Sequence, residues 1–182
     1  MVPPTATELL ERASLARRQS RLTDSYRDAN EAVLLCRRDG DQDCLIRGLR
    51  MLGQIERDEK QPERALPHYQ EAVALCRREG DALRLAHCIR HLGDLLVELH
   101  RLDEAAREYE AALAMYREDP GTKPLDLANA LRAIAQMKEQ HGEPQAARPY
   151  WAEARALYSA SSVAQGVAEC DLQLEKSKRQ TL

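Results

Sequence analysis

Three polar stripes in the sequence carry the residues best suited to binding chemistry. Within each stripe the members stand three, four and three positions apart, which places them on one face of an α-helix. The stripes are Arg47, Arg50, Gln54 and Arg57; His87, Arg90, Asp94 and Val97; and Asn129, Arg132, Gln136 and Glu139. An arginine holds the second position of each stripe, and its guanidinium offers a planar fork of donors that matches a carboxylate. The stripes therefore predict a surface suited to acidic groups.

The alternative for these stripes is a solvated or internally paired surface. Asp94 lies four residues after Arg90 and can neutralise it, and Glu98 and Glu139 are near. Arg50 and Arg132 have no acidic residue three or four positions away in either direction. At the level of sequence both interpretations stay open.

His87 and His91 are the pair that could hold a metal ion, because residues four apart on a helix can chelate and imidazole is a common ligand. Cys88 stands where the glutamate of a zinc-protease motif would follow His87, and the sequence signals no third ligand. We therefore expect no metal and no cofactor, and we assign both histidines to the polar surface. The chain also lacks a Gly-rich phosphate loop, a G-x-S-x-G elbow and a CxxC pair, so we predict no catalytic residues and no enzyme activity.

A sequence repeat of about 40 residues positions these stripes. Residues 63–78 recur at 103–118 and again at 144–159, with a weaker copy at 30–38. The recurring pairs are Ala65 with Tyr69, Ala105 with Tyr109, and Ala147 with Trp151. A period of this size is typical of a solenoid, in which helix pairs stack on one another.

Glycine and proline residues divide the chain into helix pairs. Gly40, Gly80 and Gly121 are predicted to end the second helices, Pro62 and Pro144 to lie in the turns within pairs, and Thr23 to cap the second helix of the first pair. We predict a flexible leader at 1–6, a single domain at 7–176 and a flexible tail at 177–182. The domain divides into repeats at about 7–40, 44–80, 84–121 and 126–160 and a capping helix at 163–176.

These residues resemble the tetratricopeptide repeat family. The family pattern has a large apolar residue, two free positions and Leu-Gly, and later an alanine with an aromatic residue four positions on. It appears here as Leu49, Leu52 and Gly53; Ile89, Leu92 and Gly93; and Leu131, Ile134 and Ala135, each followed by one of the recurring pairs. Because glycine inside a helix costs about 1 kcal/mol, we expect Tyr69 and Tyr109 to pack closely against Gly53 and Gly93. The spacing of 40–42 residues is similar to the longer variant found in kinesin light chains and related bacterial proteins.

The resemblance implies an all-α fold, a right-handed solenoid of antiparallel helix pairs with the polar stripes on its concave side, where such proteins hold peptides. Stacking would then align Arg50, Arg90 and Arg132 as a ladder. The first functional hypothesis is a non-catalytic interaction module that binds a protein or peptide segment, acidic in character. The second is a structural protein that forms a homodimer, with Ala168 and Leu172 of the last helix as the seam.

Composition limits the other classes of function. A formal net charge of -3 gives no long-range attraction to phosphate backbones, so we predict no nucleic-acid partner. The chain shows neither a run of eighteen apolar residues nor a signal-peptide pattern, so we predict no membrane association and a cytoplasmic location. Five cysteines, an odd number, favour reduced thiols, with Cys36 and Cys76 as small buried apolar residues.

Overall fold

The computed structural model describes residues 3–179, and this part of the chain forms nine α-helices joined by short turns. The helices are α1 (Ala6–Arg18), α2 (Leu22–Asp39), α3 (Gln42–Asp58), α4 (Pro62–Glu79), α5 (Ala82–Glu98), α6 (Leu102–Glu118), α7 (Pro124–Gln140), α8 (Pro144–Ala160) and α9 (Ala164–Arg179). Each helix packs on the next, and α1 also contacts α3 while α5 contacts α7. The predicted all-α solenoid of stacked helix pairs is confirmed.

The predicted leader and tail extend beyond the described residues. Positions 1–2 and 180–182 lie outside them, so the prediction of flexibility stays untested there. Within the described part, α1 begins at Ala6 and α9 continues to Arg179. No helix in residues 3–179 is both long enough and apolar enough to cross a bilayer.

Short local signals set several ends of helices α2 to α5. Asp41 and Asp81 cap α3 and α5, since each carboxylate accepts a 2.9 Å hydrogen bond from the backbone three residues later. Gly40 and Gly80 end α2 and α4 with φ of 72° and 77°, as the sequence predicts.

Two predicted boundaries are wrong. Leu22 is the first residue of α2 and Arg21 its N-cap, so Thr23 lies inside the helix. Helix α6 ends at Glu118 with Asp119 as its C-cap, and Gly121 belongs to the connector that follows. There the Asp119 side chain accepts a 2.7 Å hydrogen bond from the Gly121 backbone, so this turn closes without a left-handed glycine at the helix end.

The expected close approach at two helix-interior glycines is confirmed. A Cβ at Gly53 would lie 2.7 Å from Tyr69 Cε2, and one at Gly93 would lie 2.6 Å from Tyr109 Cε1. Both tyrosines are almost fully buried. The absence of a side chain on the first helix therefore lets an aromatic ring of the second helix pack against its backbone.

The core is a continuous layer that runs the length of the stack, with Trp151, Tyr69 and Tyr116 among its largest buried side chains. At its far end, Tyr158 of α8 packs against Gly166 of α9, where a Cβ would lie 2.6 Å from the ring. Helix α9 thus covers α8 and closes this end of the described stack.

The cysteines differ from the expectation of five reduced thiols. A disulfide joins Cys36 of α2 to Cys44 of α3, so the prediction is wrong for this pair. Cys76, Cys88 and Cys170 are free, and all three are buried. The prediction that Cys36 and Cys76 are buried is confirmed.

Candidate functional site

The three predicted stripes lie on α3, α5 and α7, the first helices of consecutive pairs. A polar depression of about 440 Å³ is lined by seven of the predicted site residues, Gln54, Arg57, Arg90, His91, Asp94, Asn129 and Arg132. Arg17, Asp58, Lys60 and Glu98 complete its lining. We call this depression the groove. Arg47 instead borders a neighbouring hollow between α1 and α3, and Arg50, His87 and Gln136 lie outside both linings.

Most of the predicted arginines are paired with acids inside the protein. Arg90 donates to Asp94 at 3.1 Å, as its sequence spacing allows. Arg57 donates to Glu98 of the next repeat at 3.1 Å. Arg132 lies 3.4 Å from Glu169 of α9, to which Gln136 also donates at 2.8 Å. These pairs reduce the positive charge that two members of the predicted ladder, Arg90 and Arg132, present to a ligand.

Arg50 is the exception among the three ladder arginines. Within residues 3–179 it forms no ion pair and no side-chain hydrogen bond, and its Nε is buried without a partner. Its positive charge is near enough to lower the pKa values of His87 and His91 on α5. A guanidinium held beside neutral imidazoles keeps its capacity to bind an anion.

Asp94 is the most tightly held acid in the groove. Its Oδ1 accepts a 2.8 Å hydrogen bond from the Tyr109 hydroxyl, while Arg90 donates to Oδ2 and His91 Nδ1 lies 3.4 Å from the same atom. Burial alone would raise the pKa of Asp94, but its polar contacts with His91 and the charge of Arg90 lower it to about 2. Asp94 is therefore ionised at neutral pH and occupied by partners within the protein.

The two predicted histidines are both neutral at physiological pH. Burial lowers the pKa of His91 to about 4, and Asp94 offsets this only in part. Burial also lowers the pKa of His87, whose Nδ1 lies 2.7 Å from the Tyr116 hydroxyl. Among residues 3–179, no group of three or more His, Cys, Asp or Glu side chains is arranged so that it could hold a metal ion.

Hydroxyls from the second helices hold polar residues of the first helices. Tyr116 contacts His87, and Tyr158 donates to Asn129 at 2.8 Å, and the partners are 29 positions apart in both cases. The sequence analysis missed these two tyrosines and Glu169. Tyr116 and Tyr158 occupy equivalent repeat positions, 42 residues apart, and this spacing is the signal that could have identified them.

Comparisons with known proteins identify a repeat family and similar folds. A family model described as tetratricopeptide repeat matches residues 5–78 and 81–160. A comparison with curated proteins gives no match. Solved structures with a similar fold include BtubC (BKLC) from P. vanneervenii, with 22% identity and a TM-score of 0.76 over 86% of this chain and 64% of that one.

Two further solved structures show the same likeness. Aspartyl phosphate phosphatase F from Bacillus subtilis has 16% identity and a TM-score of 0.83, over 94% of this chain and 45% of that one. The kinesin light chain-like repeats from Podosopora anserina have 14% identity and a TM-score of 0.69, over 98% and 99% of the two chains. The chain thus spans less than two thirds of the length of BtubC and less than half of the phosphatase. Because the sequence identities are 22%, 16% and 14%, these similarities are evidence for the fold alone.

Proposed function

The chain belongs to the tetratricopeptide repeat family, and on that basis we propose that it is a non-catalytic interaction module that binds a segment of a partner protein in the groove formed by α3, α5 and α7. The fold supports this role, since a stack of helix pairs presents an extended and rigid surface. The side chains that line the groove are mostly polar or charged, so the bound segment would be recognised through hydrogen bonds and charge.

Arg50 is the strongest support for an acidic ligand. A buried donor without a partner costs roughly 1–3 kcal/mol, and the Nε atoms of Arg50 and Arg90 both lack one. A carboxylate from a segment that extends past the groove lining to the partly exposed guanidinium of Arg50 would balance its charge. Because Asp94 and Glu169 neutralise the other two arginines, the proposed ligand carries one acidic residue opposite Arg50 rather than a long acidic run.

A screen of displayed random peptides on the wild-type protein would test the proposal. The enriched peptides should share an Asp or Glu, and replacing it with Asn or Gln should weaken binding by about tenfold, which is ~1.4 kcal/mol. Arg50→Glu should cause a similar loss. Arg78→Glu is the matched control, because it makes the same charge change at an exposed position in the last turn of α4.

A double-mutant cycle between Arg50 and the peptide carboxylate separates direct pairing from general charge effects. Non-additive losses would support contact between the two groups. If Arg50→Glu and Arg78→Glu weaken binding equally, or if no acidic position is enriched, the groove does not bind acids through Arg50.

A second proposal is self-association through α9. Leu172 is 55% exposed, and Ala168 lines a depression of about 480 Å³ together with Val163, Ala164 and Val167. Packing this face against a second copy would remove apolar surface from water. Sedimentation over a range of concentrations should then show a dimer that Leu172→Lys disrupts, whereas a monomer at all concentrations would exclude a stable assembly.

A further inference from the structure

The free thiols of Cys76 and Cys88 meet at the junction between two repeats. Their sulfurs lie 3.3 Å apart, and both residues are 0% exposed. Cys76 stands in the last turn of α4, and Cys88 lies on α5. Since a disulfide bond is about 2.05 Å long, the two sulfurs need to approach by only ~1 Å to bond.

The preceding junction already carries a cysteine pair of this kind. There a disulfide joins Cys36 of α2 to Cys44 of α3. Cys36 and Cys76 occupy equivalent positions in successive repeats, 40 residues apart. Two consecutive junctions therefore place a cysteine at the end of a second helix opposite a cysteine on the next first helix, and only one of these pairs is bonded.

The surroundings of Cys76 and Cys88 shift the pKa values of the two thiols in opposite directions. A hydrogen bond with Cys76, helped by the nearby charges of Arg50 and Arg84, lowers the pKa of Cys88 despite its burial. The same hydrogen bond, together with burial, raises the pKa of Cys76. Because the thiolate is the reactive form, the positive charges of Arg50 and Arg84 near Cys88 favour attack by its sulfur, and Cys76, 3.3 Å away, is placed to resolve the oxidised form.

We propose that Cys76 and Cys88 are a redox modification site, at which a hydroperoxide closes a second disulfide between repeats. The Cys88 sulfur attacks one oxygen of hydrogen peroxide, the O–O bond breaks, and water leaves with the thiol proton, so that Cys88 becomes a sulfenic acid. The Cys76 sulfur then attacks the Cys88 sulfur and displaces the hydroxyl, which leaves as water with the Cys76 proton. Two thiols are oxidised to one disulfide, and one peroxide is reduced to two waters.

The bond would fix the spacing of α4 and α5 beside the groove. Cys88 stands two residues before Arg90, so a covalent link at Cys88 restrains the part of α5 that carries this groove residue. Closing the bond does not require the groove to bind a peptide. Failure of the redox proposal would therefore leave the binding proposal intact.

The first experiment treats the native full chain with hydrogen peroxide and then alkylates the remaining thiols after unfolding. The number of free thiols in the wild-type protein should fall from three to one. Before alkylation, the mass of the oxidised protein should be lower than that of the untreated protein by two hydrogen atoms. Tryptic digestion should yield residues 65–77 linked to residues 85–90 through Cys76 and Cys88. Cys170→Ser should give the same linked peptides and no free thiol, whereas Cys88→Ser should give no linkage of Cys76.

Both thiols are buried, which limits access of peroxide to them. A second experiment therefore forms the same disulfide while the unfolded chain refolds. Reduced protein is refolded in a glutathione buffer, where one oxidised glutathione accepts the electrons of two thiols and leaves as two reduced molecules. Linked peptides after peroxide treatment support the proposal, whereas linkage only after refolding would show that the bond can form but would overturn the peroxide step. If residues 28–37 and 39–47 are linked through Cys36 and Cys44 after refolding, while Cys76 and Cys88 are unlinked to each other in both experiments, the proposal is wrong.

Discussion

The Tyr109 hydroxyl donates a 2.8 Å hydrogen bond to Asp94, while the Tyr109 ring packs against Gly93, the residue before that acid. One side chain from α6 thus packs the helix pair and orients a groove carboxylate. The packing of α6 on α5 and the orientation of Asp94 therefore depend on the same side chain, and substitutions at Tyr109 and Gly93 test this dependence.

Tyr109→Phe should destabilise the protein by about 1–2 kcal/mol, because it keeps the ring and leaves a buried carboxylate without one donor. Tyr69→Phe is the matched control, since Tyr69 occupies the equivalent position and its buried hydroxyl makes no hydrogen bond of good geometry. That change should lower stability by less than about 0.5 kcal/mol. Urea unfolding curves measure both, and equal losses would show that the Tyr109 hydrogen bond contributes nothing specific.

Gly93→Ala should destabilise the chain even though alanine favours a helix over glycine by about 1 kcal/mol. The new methyl would lie 2.6 Å from the Tyr109 ring, and forcing the two helices apart costs about 1–3 kcal/mol. The fold tolerates alanine at the equivalent position, Ala135, and the residue equivalent to Tyr109 in that repeat is Trp151. Thermal unfolding measures the difference, and the double mutant with Tyr109→Leu should lose less stability than the sum of the two single losses, because the smaller side chain makes room for the new methyl. A more stable Gly93→Ala protein would contradict the packing explanation.

Stability should fall in two steps as the pH decreases. The folded state lowers the pKa of His91 to about 4, whereas the unfolded chain takes up that proton near pH 6.5, so stability decreases between about pH 6.5 and 4. The pKa of Asp94 is lowered to about 2, so its contribution is present above about pH 4 and is lost as the pH falls from there toward 2.

His91→Gln should reduce the loss of stability between about pH 6.5 and 4, as measured by urea unfolding at a series of pH values. His141→Gln is the control, because His141 is an exposed histidine at the end of α7. If the two variants have identical slopes between pH 6.5 and 4, burial of His91 is not the source of the dependence.

The repeat pattern predicted the helix pairs, the glycine contacts and the presence of polar residues on the groove side, because these features follow from spacing within one helix or one pair. The neutralisation of the groove arginines was not predictable in the same way. A search three or four residues along each helix finds Asp94 beside Arg90, but Glu98 lies 41 residues from Arg57 and Glu169 lies 37 residues from Arg132. These acids reach the arginines only because successive repeats stack.

The stacking itself creates a recurring ion pair between first helices. Arg17 pairs with Asp58 and Arg57 with Glu98, and both pairs join residues 41 positions apart. All four side chains are at least one-fifth exposed, so Arg57→Ala should cost only about 0.2–1 kcal/mol. A double-mutant cycle of Arg57→Ala and Glu98→Ala in urea should show coupling that shrinks at high salt. Coupling that is absent at low salt would mean that the pair is incidental to the stack.

Glu169→Gln should strengthen binding of a display-screen peptide that carries a second acidic residue opposite Arg132, because it removes the charge that neutralises Arg132 while leaving an amide that can still accept a hydrogen bond from Gln136. Freeing one partly exposed guanidinium should raise affinity by about threefold to tenfold, or up to ~1.4 kcal/mol, and the gain should fade at high salt. Glu153→Gln is the matched control, since it removes the same charge from an exposed pair with Arg117 on the second helices. Fluorescence anisotropy with one labelled peptide compares all three proteins. Equal affinities for wild type and Glu169→Gln would place the bound acid away from Arg132, whereas equal gains in both variants would reflect net charge alone.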